Sequence, residues 1–194
     1  MKIGIIGRGF VGSAVEFGFS AQTGCDAEVK IYDKDESKST HSLVETLESD
    51  FIFVSVPTPS NSDGSINLDI IYDCFHEMSM LNKRKDNVIL LRSTVVPGTT
   101  RALKNKFRNL NIVFNPEFLT ERSAKFDFIN QSRFILGGKQ SDVEKVAKLY
   151  TDRFGTTTPV IKTNYETAEM IKYMNNCYFA TKVSFMNEMK QVSD

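Results

Sequence analysis

Seven stretches of this chain are short and almost unbroken apolar runs. They are KIGII (2–6), AEVKIYD (27–33), DFIFVSV (50–56), NVILLRS (87–93), NIVFN (111–115), RFILGG (133–138) and TPVIKT (158–163). Strands that do not alternate apolar with polar belong to a parallel sheet covered on both faces. Segments of helical spacing lie between them: 10–22, a weaker 39–48, 67–82, 97–107 with a proline in its first turn, and 140–154, stopped by Gly155. Strand and helix alternate up to Thr163. The expectation is a doubly wound, mostly parallel α/β sheet over residues 1–163. Residues 164–194 form a second unit, one long helix without Gly or Pro.

Composition narrows the function classes. Hydrophobic residues make up 41% of the 194, charged residues 25%, and the formal net charge is zero, so no global field points to nucleic acid or an anionic membrane surface. The apolar N-terminus is broken by Gly and Arg after a few residues, which fits neither a signal segment nor a membrane span. Cys25, Cys74 and Cys177 are widely spaced and odd in number, as expected of a reducing cytoplasm. His41 and His76 are too distant for a metal site, and none is expected.

The first strand runs into G-R-G-F-V-G, with Gly7, Gly9 and Gly12 at G-x-G-x-x-G spacing, and a helix pattern follows. In a Rossmann-type unit Gly7 permits the tight turn, Gly9 lets backbone approach a pyrophosphate, and Gly12 allows close helix–strand packing. The pyrophosphate then rests on the helix N-terminus. Asp33 ends the second strand, 21 residues after Gly12, where a carboxylate holds ribose hydroxyls and repels a 2′-phosphate. NAD is favoured over NADP, with Lys34 and Lys38 weighing the other way. The alternative is a tight strand–helix turn without a ligand.

Ligands of such sheets bind beyond the carboxyl ends of the strands. Those ends read VPTP (56–59), RSTVVPG (92–98) and NPEFLTERSA (115–124). Thr58, Ser93 and Thr94 bring hydroxyls there, for a cofactor or merely for turns and caps. Glu117 and Glu121, four apart, are either a base and a ribose ligand or two solvated acids. In the terminal segment Thr163-x-x-Glu166 predicts a capping box. Apolar residues recur at Ile171, Met174, Tyr178, Phe185, Met189 and Val192, and Glu169, Lys172 and Asn176 share another face. That second face is either a solvated stripe or a polar group aimed at the sheet's edge.

The ordered set GRGFVG, VPTP, DGSINLD, STVVPGTT, NPEFLTERSA and AEMIKYMNNCYFATKVSFMNE resembles the N-terminal half of the UDP-glucose/GDP-mannose dehydrogenase family, nearest its UDP-glucose 6-dehydrogenase branch. The resemblance covers essentially the whole chain. It implies a two-step, four-electron oxidation of a nucleotide-sugar C6 alcohol by two NAD, through a thioester on a cysteine. By matching position, Gly7, Gly9, Phe10, Val11 and Gly12 would hold the pyrophosphate and Asp33 the adenosine ribose. Thr58, Ser93 and Thr94 would line the nicotinamide side, Thr94 also orienting a water. Glu117 would be general acid/base for thioester hydrolysis, and Glu121 would contact the cofactor. Phe118, Leu119, Thr120 and Glu121 would border the sugar, and Lys172 and Asn176 would bind substrate and stabilise an oxyanion at C6. Two departures stand out: Arg122 replaces the family's usual Gly, and no GGxCFPKD-type segment is present. The expectation is therefore an NAD-binding half lacking its nucleophile, inactive alone, with the terminal helix as the start of a dimerisation spine. A stand-alone binding module and a small β-hydroxyacid-type dehydrogenase are the other readings, and NPEFL argues against the last.

Overall fold

A computed structural model describes residues 1–193. One sheet carries all seven strands: β1 (Lys2–Ile6), β2 (Glu28–Tyr32), β3 (Phe51–Val54), β4 (Val88–Leu91), β5 (Ile112–Phe114), β6 (Phe134–Gly138) and β7 (Val160–Thr163), in the order β2-β1-β3-β4-β5-β6-β7. Each expected run contains its strand: β1 coincides with its run, and the others are shorter by a residue or two at one end or both. The helices are α1 (Phe10–Gly18), α2 (Leu43–Leu47), α3 (Asp69–Leu81), α4 (Thr99–Lys106), α5 (Ala124–Ile129), α6 (Gln140–Phe154) and α7 (Tyr165–Ser193). Helix α5 has no counterpart among the helices expected from the sequence. Its six residues are too few to show a helical period.

Both faces of the sheet are covered, which is why its strands are apolar throughout. Ile52, Val54, Ile89, Leu91, Ile112 and Phe114 pack under α2, α3, α4 and α7. Ile3, Ile5, Phe53, Leu90, Val113 and Leu136 pack under α1, α5 and α6. β2 lies on one side of β1 and β3 on the other, so the chain reverses its winding direction at β1. A crevice opens at such a switch point, beyond the carboxyl ends of the strands.

The sheet is parallel from β2 to β5, but β6 runs antiparallel to β5, and β7 parallel to β6. This reversal has two consequences for the site. The connection from β5 to β6 therefore starts and ends at the carboxyl edge, which keeps residues 115–119 there, while α5 packs beside α1. β7 runs against the direction of β5, so α7, turning back from its end, runs toward the carboxyl edge. Its first residue, Tyr165, donates its hydroxyl to the Ile112 carbonyl at the start of β5 (2.9 Å), and seven residues later Lys172 reaches Glu117 beyond the end of β5.

The expected capping box at Thr163 does not form. Thr163 is the last residue of β7 and is paired with Gly137. Asn164 caps instead, its side-chain oxygen accepting from the Thr167 N–H at 2.8 Å, and Glu166 pairs with Arg101. The burial of α7 also departs from its apolar spacing. The face against the body is Tyr165, Ala168, Glu169 and Lys172, whereas Met174, Tyr178, Phe185, Met189 and Val192 are exposed. Among the described residues, no helix is long and apolar enough to cross a membrane.

Candidate functional site

The turn from β1 into α1 is shaped by its glycines. Gly7 has φ +89°, and a Cβ there would sit 2.5 Å from the Ser55 carbonyl oxygen. A Cβ on Gly12 would meet the Gly7 carbonyl oxygen at 2.0 Å. A Cβ on Gly9 would meet nothing within 4 Å, so Gly9 is the glycine that faces open space. No side chain caps α1, and its first N–H groups have no partner within the helix. A free helix N-terminus beside an open glycine suits a diphosphate. Asp33 is fixed next to this turn. Its carboxylate accepts from the Arg8 N–H at 2.6 Å and the Asp35 N–H at 2.9 Å.

Two cavities meet along Gly9, Ser55, Val56 and Pro57. One, of about 340 Å³, is lined by Gly7, Tyr32, Asp33, Lys34, Lys38, Leu43 and Cys74. The other, of about 320 Å³, adds Phe10, Val11, Thr58, Arg92, Ser93, Thr94 and Glu117. Together they make a crevice with room for a nucleotide on either side of the glycine turn. Gly7, Gly9, Phe10, Val11, Asp33, Thr58, Ser93, Thr94 and Glu117 are thereby brought onto one continuous surface. Ser93 is not a free hydroxyl: it donates to the Val56 carbonyl at 2.7 Å, tying the loop after β4 to the loop after β3.

Glu117 is buried, and so is its partner. The Lys172 Nζ stands 2.8 Å from Glu117 Oε1 and 2.6 Å from the Glu117 carbonyl oxygen, and Glu117 Oε2 accepts from the Leu119 N–H at 2.6 Å. An ammonium has three donors, so one remains for another oxygen. One turn earlier Glu169, fully buried, closes the N-terminus of α4. It accepts from the Gly98 N–H (2.6 Å), the Thr100 N–H (2.7 Å) and the Thr100 hydroxyl (2.6 Å). Burial pushes its carboxyl above the usual carboxylate range, against the pull of those donors. The polar face of α7 is therefore not a solvated stripe at Glu169 and Lys172, and is exposed only at Asn176. Glu169 and Lys172 anchor the helix to the two loops that follow β4 and β5.

The remaining sequence candidates lie elsewhere. Glu121 is exposed, near Phe10, Ser13 and Arg122 on the neighbouring surface. Phe118 lies under the Lys172 ammonium, with the Nζ 5.4 Å from its ring centre. Leu119 packs against the core, and Thr120 donates its hydroxyl to Asp127 of α5. Asn176 is exposed, one turn beyond Lys172. Cys25 is half-buried, Cys177 is exposed, and Cys74 is buried on the Asp33 side, where burial pushes its thiol up to about 12. None of the three lines the cavity that holds Thr94 and Glu117. Arg92, on the floor of that cavity, is not among the sequence candidates. Its place directly before Ser93 and Thr94 at a strand end was the available signal. No cluster of metal-ligating side chains exists among the described residues.

A mostly parallel sheet, a glycine turn with an open helix N-terminus, and an acid at the end of β2 define a dinucleotide-binding domain of the dehydrogenase class. Residues 39–153 match the NAD-binding domain of the UDP-glucose/GDP-mannose dehydrogenase family and residues 166–194 its central domain. The chain belongs to this family, and its cofactor is NAD. It is 30% identical over 99% of its length to the UDP-glucose 6-dehydrogenase of Haloferax volcanii, covering 54% of that protein. It is 36% identical over 75% of its length to that of Rickettsia prowazekii, covering 34%. Among solved structures, GDP-mannose dehydrogenase from Pseudomonas aeruginosa superposes with a TM-score of 0.82 at 25% identity, over 97% of this chain and 52% of that one. The chain thus spans about half, or less, of the length of these relatives.

Proposed function

We propose that residues 1–163 are the NAD-binding half of a nucleotide-sugar 6-dehydrogenase of the UDP-glucose to UDP-glucuronate type, with residues 164–194 beginning its central helix. The observation that carries this reading is the buried Lys172–Glu117 pair. It stands at the carboxyl edge of the sheet: Glu117 lines the same cavity as Thr94, next to the glycine turn, and Lys172 lies behind it at 2.8 Å. A cofactor diphosphate on α1, with its adenosine ribose on Asp33, directs the other nucleotide toward Thr58, Thr94 and Glu117. NAD supplies hydride acceptance there.

The chain's own groups do the rest. The third Lys172 donor stabilises negative charge on an oxygen at the sugar C6, an effect that is large because the ammonium is fixed and shielded from water. Glu117 retains free lone pairs on both carboxylate oxygens and takes a proton from that oxygen or from a water. Asn176, one turn on, contacts the sugar from the same helix, and Glu121 closes the cofactor side. The three cysteines are not placed to capture an aldehyde, so the 194 residues alone bind cofactor without completing the oxidation. We place the protein in the cytoplasm, as a homodimer through residues 164–194.

Calorimetric titration with NAD tests the core of this reading. Binding is expected, and Asp33→Ala should weaken it by about tenfold or more, the range for hydrogen bonds to a charged group. Unchanged binding in the variant would remove Asp33 from the site. No binding in either protein would remove the cofactor reading for this chain.

A further inference from the structure

Arg92 is 1% exposed and has no carboxylate partner among the described residues. One terminal nitrogen, Nη1, donates to Asn115 Oδ1 at 2.6 Å and lies 3.4 Å from the Tyr150 hydroxyl. The guanidinium carbon lies 5.9 Å from the Phe53 ring centre and 5.5 Å from that of Phe128. Among the described residues the Nε and Nη2 groups have no acceptor, although both are fully buried. A buried, unpaired cation is among the most expensive groups a core can hold, and two aromatic faces offset only part of that cost. Every other deeply buried charge near the site is matched: Lys172 by Glu117, and Glu169 by three donors.

The missing counter-charge has an evident place. Arg92 forms part of the cavity wall shared by Gly9, Phe10 and Val11, where the free N-terminus of α1 opens. We propose that Arg92 is a fixed positive charge beneath the cleft that binds the negative charge of the cofactor diphosphate, acting through the low-dielectric floor. This rests on the NAD reading above and names a binding residue additional to the glycine turn and Asp33. A charge held in the core needs no reorganisation when the ligand arrives, and its field is weakly screened there. It also accounts for a core cation that the described residues leave without a carboxylate.

The test uses the full chain with NADH, ADP-ribose and adenosine as probes. Arg92→Met should weaken ADP-ribose and NADH about tenfold or more, leave adenosine within about twofold, and leave the melting temperature of the free protein unchanged or higher. Arg92→Lys, which keeps the charge, should retain most of the affinity. Equal losses for adenosine and ADP-ribose, or a full loss in Arg92→Lys, would overturn the proposal. So would a loss confined to NADH, which would assign Arg92 to the nicotinamide end. Should Arg92→Met fail to fold, the Nε–H resonance of Arg92 in the unsubstituted chain decides: it should shift with ADP-ribose and stay in place with adenosine. Absence of NADH binding to the unsubstituted chain is a separate outcome that overturns the cofactor reading itself.

Discussion

Lys172 and Glu117 neutralise one another in a place that neither could occupy alone, with side chains 5% and 10% exposed. Taking one partner away leaves a buried charge without compensation, a loss of about 3–5 kcal/mol. Lys172→Met and Glu117→Gln should each lower stability by about that much in urea titrations. The double variant should recover a large part of the loss, since the amide oxygen introduced by Glu117→Gln still accepts from the Leu119 N–H. Additive losses would mean that the pair does not interact in solution. This pairing was only half legible in the sequence. The four-residue spacing of Glu117 and Glu121 treats the two acids as equals, yet one is buried and the other exposed. What separates them is a lysine 55 positions away, which no local pattern contains. Arg92 escaped the sequence reading for the same reason: its partners Asn115 and Tyr150 come from other elements.

At the scale of elements, the β1–α1 turn assigns different work to glycines of one motif. Gly12 packs against the Gly7 carbonyl, so Gly12→Ala forces helix and strand apart and should destabilise the fold by more than about 2 kcal/mol. Gly9 has φ −79° and space around it, so Gly9→Ala should leave the unfolding midpoint nearly unchanged while weakening NAD, because its methyl enters the volume of the ligand. Paired thermal melts and NAD titrations separate the two. A Gly9→Ala protein that binds normally would show that the diphosphate does not approach there. Strands and long helices were readable because two covered faces demand continuous apolar runs and because Gly155 stops α6. The direction of β6 was not readable, since an apolar run carries no polarity. Nor was the cap of α7: Thr163 fits the pattern, but its place in the β7 ladder leaves the role to Asn164.

The whole molecule is asymmetric, a packed sheet domain from which α7 continues into solvent. From Asn176 to Ser193 every residue is exposed, among them Tyr178, Phe179, Val183, Phe185, Met186 and Met189. Those 18 residues make about 27 Å of helix at ~1.5 Å each. An isolated helix of this length is marginal in water, because little besides its own hydrogen bonds offsets the ordering entropy. An apolar surface of this extent is the kind that covers itself by association. The first two turns of α7 are held by Glu169 and Lys172 whatever happens beyond them. Amide hydrogen exchange should therefore divide the helix. Residues 168–173 should be protected at every concentration. Residues 178–193 should exchange rapidly in dilute protein and become protected as the concentration rises, with a dimer appearing in light scattering over the same range. Concentration-independent protection of 178–193 in a monomer would refute dimerisation through this helix. Rapid exchange that persists in a dimer would place the contact on another face of the domain.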